Sequence, residues 1–114
     1  MPSSDTMTRE EKLRLLISKV LWERKLWSLP KEMEDEMERI AIELKVPPRE
    51  DCVRNFIAAY CVIKGLMNRA TADRVIASST RGRIYWEKKI RERYSLQPWY
   101  EMQPWRELLF KPED

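Results

Sequence analysis

Two glycines, Gly65 and Gly82, are all that 114 residues contain. Tight hairpin turns need backbone at positive φ, which glycine adopts without steric cost, and a sheet of several strands needs several such turns. A chain this poor in glycine points instead to helices joined by short connections, an all-α fold. Hydrophobic residues make up 43% and charged residues 36%. That balance supplies both a core and a wetted surface, whereas a disordered chain carries fewer large apolar side chains. The length suits one domain, and a domain of this size buries about 65% of the surface its unfolded chain exposes.

Local signals divide the chain into a bundle of four to five helices and a tail. Residues 1–7 read as a flexible leader, residues 8–94 as the helical bundle, and residues 95–114 as a C-terminal strap. Thr8-Arg9-Glu10-Glu11 is a capping box, so a first helix is expected from Thr8 to about Trp27. At about 100° per residue, Leu13, Leu16, Ile17, Val20 and Trp27 share one face, while Leu15, Trp22 and Leu26 form a second stripe nearly opposite. Pro30 suits the first turn of a second helix, with Met33, Met37, Ile40 and Leu44 on its apolar stripe. Pro47-Pro48 ends it and opens a third, expected to run to Met67. The third is the most apolar, leaving little but Arg54, Asn55, Ala58 and Lys64 for water, and so belongs at the centre. Asn68 is read as its C-terminal cap and Thr71 as the N-cap of a short fourth helix. A fifth should cover Arg81 to Tyr94, with Trp86, Ile90 and Tyr94 facing the core. In the tail, Gln97-Pro98-Trp99 recurs as Gln103-Pro104-Trp105, and a short helix from Pro104 to Phe110 is expected within a strap that packs its tryptophans on the bundle.

Missing side chains exclude most catalytic chemistry. There is no histidine, which removes the Ser-His-Asp triad, the Cys-His pair and histidine-ligated zinc. Two cysteines cannot form a four-thiolate site, and placed on one helix Cys52 and Cys61 stand about 13 Å apart, too far for a disulfide. Both are read as small buried hydrophobes. Two isolated glycines supply no phosphate-cradling loop. Glu32, Asp35, Glu36 and Glu43 are read as a solvated helix face complementing the helix dipole rather than as metal ligands. The expectation is a protein that is not an enzyme and uses no cofactor or metal. No apolar run approaches the roughly 20 residues of a membrane span, and no signal peptide is evident, so a cytoplasmic location is expected. Only four side-chain amides accompany the abundant Glu, Lys and Arg, which leans towards a thermophilic source.

Charge is unevenly spread. Residues 64–93 carry nine basic and three acidic groups, although the whole chain is only +3. On the fifth helix Arg81, Lys88, Lys89 and Arg93 share a broad face with Tyr85, and Arg69 and Arg74 extend it. Such cations neutralise phosphates, and a ring among them can stack on an exposed base. These seven residues are the candidate nucleic-acid contacts, with single strands, RNA or backbone contact within a larger complex suited better than major-groove reading because the expected helix-turn-helix register is poor. The competing reading is an ordinary salt-bridged face, in which Glu87 pairs with Arg91 and acids of the second helix meet Lys88 or Lys89. Membrane-surface binding is set aside, because the apolar stripe is short and needed for the core. The alternative function is a protein-interaction subunit docking or self-associating through Leu15, Trp22 and Leu26.

Overall fold

A computed structural model describes residues 7–94. They form five helices and no strand: α1 (Arg9–Glu23), α2 (Lys31–Glu43), α3 (Glu50–Ile63), α4 (Arg69–Val75) and α5 (Thr80–Tyr94). The expected all-α bundle is the fold of these residues. The proline-tryptophan strap and its short helix lie outside them. None of the described helices is long and apolar enough to cross a membrane.

Helix α3 is the axis of the molecule, packed against each of the other four. Ten of its fourteen residues are buried, so its apolar girth leaves no face for water along Asn55–Ile63. Around it close Leu13, Ile17, Val20 and Leu21 from α1, Met37, Ile40 and Ala41 from α2, and Trp86, Ile90 and Tyr94 from α5. The α5 stripe is the one its spacing predicts. Each large side chain of this kind contributes about 1.5–3 kcal/mol when fully buried.

Three helices end in the same way. Beyond α1 the chain turns through Lys25 at φ 61°, beyond α2 through Lys45 at φ 56°, and beyond α3 through Gly65 at φ 73°. In each, the next residue's N–H reaches back five residues: Leu26 to the Leu21 carbonyl, Val46 to Ala41 and Leu66 to Cys61, at 2.8, 3.0 and 2.9 Å. This Schellman closure satisfies carbonyls a helix end leaves orphaned. Glycine takes that conformation freely, but a lysine there costs on the order of 1 kcal/mol.

These caps shorten two helices relative to their sequence pattern. The first ends at Glu23, not Trp27. Trp27 therefore leaves the wheel that placed it with the core and is 60% exposed. The third ends at Ile63, not Met67. Asn68 then caps the next helix's start rather than the last one's end, its Oδ1 accepting the Thr71 N–H at 2.8 Å, so Thr71 lies inside α4. Thr8 does cap α1, its hydroxyl accepting the Glu11 N–H at 3.1 Å.

Asn55 and Ala58, expected to face water, are buried. Asn55 serves the junction before α5: its Oδ1 accepts the N–H groups of Ser78 and Ser79 at 2.9 and 3.1 Å. Gly82 sits directly over the same side chain, and a Cβ there would collide with the Asn55 amide. Close approach is thus the reason for glycine at 82, and it brings the start of α5 onto α3.

Candidate functional site

The basic segment divides into two sets once it is folded. Arg83 is fully buried. Its Nε and Nη2 donate to the two carboxylate oxygens of Asp73 at 2.6 and 3.1 Å, and its Nη1 donates to Glu87. Arg69 lies 3.7 Å from Glu87, so it joins this cluster rather than a binding strip. Burial would raise the Asp73 pKa, but hydrogen bonds from Arg83 and Thr80 outweigh it and hold the carboxyl below its ordinary range. Arg93 pairs with Glu43 of α2. Lys64 lies 2.8 Å from Glu36. Lys64, Arg69, Arg83 and Arg93 are therefore held in ion pairs with acidic neighbours, whereas Lys88 and Lys89, expected to meet acids of the second helix, make no ion pair with any described residue.

The second set makes no ion pair with any described residue: Arg74, Arg81, Lys88 and Lys89. Arg74, Arg81 and Lys88 are exposed, and the Lys89 ammonium stands 5.5 Å from the centre of the Tyr85 ring. Arg74, in the last turn of α4, is not drawn to the others. Arg81, Tyr85 and Lys89 project from α5 towards the turn between α2 and α3, where they meet residues the charge pattern did not single out.

Two adjoining depressions of about 490 and 450 Å³ form a groove there, sharing Leu44, Lys45, Tyr85 and Trp86. One wall is α5, supplying Arg81, Tyr85, Trp86, Lys89 and Arg93. The other is the α2–α3 turn, supplying Leu44, Lys45, Pro47 and Arg49. Cys52 and Asn55 of α3 reach the floor. Positive charge thus comes from both sides: Lys45 and Arg49 face Arg81 and Lys89. Glu92 and Glu43 are the acidic members, and Glu43 is matched by Arg93. The Arg49 side chain is held loosely, 3.9 Å from Asp51 and donating to the Cys52 sulfur at 3.2 Å.

An aromatic relay backs this groove. Phe56, in the core, meets Trp86 edge to face with ring centroids 6.0 Å apart, and Trp86 meets Tyr85 the same way at 4.9 Å. Tyr85, at the outer end of this series, remains 51% exposed. A rigid ring flanked by cations presents a flat apolar face and a positive field together.

Of the sequence candidates, the fold brings Arg81, Tyr85, Lys89 and Arg93 to one groove, leaves Lys88 on the outer face of α5, and directs Arg69 and Arg74 elsewhere. Lys45 and Arg49 were missed because they sit outside the segment of excess charge. The signal for them was local, a cation on each side of Pro47-Pro48.

Cys52 and Cys61 are both on α3 and both free. Burial pushes the Cys61 thiol up to about 12, which makes it inert. Cys52 is half-exposed in the groove and so departs from the buried role expected of it. No group of three or more metal-ligating side chains occurs among the described residues.

The second stripe of α1 also separates. Trp22 is 72% and Leu15 58% exposed, while Leu26, beyond the helix end, is half-buried against the core. The exposed face is completed by Trp27, whose ring centroid is 5.4 Å from that of Trp22.

No protein-family model matches the sequence, and comparison with curated proteins and with solved structures gives no match either.

Proposed function

We propose that the chain is a non-enzymatic nucleic-acid-binding protein that holds a single strand, RNA or DNA, in the groove between α5 and the α2–α3 turn. The observation that carries this reading is that Lys45, Arg49, Arg81 and Lys89 line, with the exposed Tyr85, two adjoining depressions. Cations on opposite walls suit a phosphate backbone running between them. The Tyr85 ring supplies a stacking face that any unpaired base can use, whereas a base inside a duplex cannot reach it. Arg93 shapes the wall through Glu43 rather than meeting phosphate. Lys88 adds to the field from outside.

The test is a fluorescence-anisotropy titration of labelled single strands and matched duplexes. Four neutralised phosphates on a single strand give a logarithmic salt slope near −3, hence an affinity loss of about 50-fold between about 50 and 200 mM salt. Arg49→Glu and Arg81→Glu together should weaken binding by at least tenfold, and Tyr85→Ala by about five- to 150-fold. Absence of salt-sensitive binding to any strand would end the proposal.

A second reading, an interaction subunit docking through α1, is favoured by the exposure of Trp22 and Leu15. It predicts that Trp22→Asp abolishes partner capture or changes oligomer mass and leaves oligonucleotide affinity unchanged.

A further inference from the structure

We propose that the tryptophan face of α1 is the seat of this chain's own C-terminal segment, residues 95–114. The inference stands apart from the groove, which shares no residue with that face. Leu15 and Trp22, seven positions apart, lie on one side of α1, and Trp27 continues the surface past the helix end. Trp22 and Trp27 are in ring contact and Leu15 lies two turns back on the same side, three large apolar side chains each more than half exposed that water solvates poorly.

The size of the patch argues against a second copy as the occupant. Large side chains bury roughly 150–250 Å² each, so the exposed part amounts to on the order of 400 Å². A stable interface needs roughly 800 Å² from each partner. A segment tethered to the same chain needs less area, because it loses little translational and rotational freedom on docking.

The chain leaves the described residues beside α2 and the end of α3. The Tyr94 hydroxyl donates to Glu36 at 2.9 Å, and the Tyr60 hydroxyl, which also donates to Glu36, lies 3.1 Å from the Met33 carbonyl. The end of α5 therefore lies beside the end of α3, where the Lys64 ammonium stands over the Tyr94 ring, and spans α2 from Glu36 to Glu43. The α1–α2 connection, with Trp27, enters α2 at Lys31, five residues or about 7 Å along the axis before Glu36. Twenty further residues reach up to about 66 Å when extended, while α1 with fifteen residues is about 22 Å long. The segment also has matching chemistry. Trp99, Trp105, Leu108 and Phe110 supply apolar anchors, and its charge is −2, against +3 for residues 9–25 of the α1 region.

A double-mutant cycle on the full chain tests this, combining Trp22→Ala with the tail pair Trp99→Ala and Trp105→Ala. Trp22 lies outside the core, so its removal leaves the bundle able to fold. The expected result is that each variant lowers the urea midpoint, and that the combination falls no further than the worse of the two. Sedimentation velocity should show the parent protein as a monomer at every concentration. Additive midpoints, or no shift from either variant, would overturn the proposal. So would a parent dimer that Trp22→Ala dissociates while the tail variant does not, since the occupant would then be a second copy.

Discussion

Arg83 is a guanidinium with no access to solvent in a protein of modest size, and its position has an energetic signature. Removing one member of a buried ion pair leaves the others desolvated and uncompensated, at about 3–5 kcal/mol. Arg83→Ala should therefore lower unfolding free energy by about that much in urea titration, while Arg81→Ala, two positions away and exposed, should stay within about 0.5 kcal/mol. Had Arg83 been an ordinary surface charge, the two would be alike. In sequence the two are indistinguishable members of one basic run. Glu87 at i+4 hints at a pair, but the decisive partner, Asp73, arrives from α4 through a short connection that helical periodicity does not describe. The half of the site that was legible, Arg81, Tyr85 and Lys89, lies on a single helix where spacing does report facing. Lys45 and Arg49 come from a turn, and only the fold places them opposite.

Among the elements, the core-facing stripes of α2, α3 and α5 were readable, because burial and periodicity agree there. Helix ends were not. Glycine at 65 advertises one Schellman cap, but the other two are built on Lys25 and Lys45, which carry no sequence flag. Their left-handed backbone is a local strain retained by the packing of Leu26 and Val46. Lys25→Gly should relieve it and raise stability by about 1 kcal/mol or less, the gain being reduced by the greater entropy of glycine in the unfolded chain. A chemical-denaturation midpoint that falls instead would mean the lysine side chain holds contacts worth more than the strain.

At the scale of the whole molecule, three helices are tied by one carboxylate. Glu36 of α2 accepts from Tyr60 of α3 at 2.8 Å and from Tyr94 of α5 at 2.9 Å, and it lies 2.8 Å from the Lys64 ammonium. Burial alone would raise its pKa; Lys64 and the two tyrosines together bring it below the ordinary value of 4.5. Both tyrosine hydroxyls are shifted upward, by burial first and by Glu36 with it, and so stay protonated as donors. A carboxyl with a depressed folded pKa stabilises the fold above its unfolded pKa, and that contribution disappears as pH falls through the folded value. Asp73 has the same sign, whereas Glu38, raised by burial and then by Glu34, has the opposite one. The urea midpoint should hold between neutrality and about pH 5 and decline below about pH 4.5, with a shallower decline in Glu36→Gln. An unchanged slope in that variant would assign the acid sensitivity to Asp73 or to the remaining carboxylates.

The lysine at position 45 joins these scales. Its backbone closes α2 in a conformation glycine would hold more comfortably, and the residue borders both halves of the groove. Endurance and ligand capture therefore pull in opposite directions at this one site: a glycine would make the protein tougher and, under the proposed reading, a poorer grip on a polyanion.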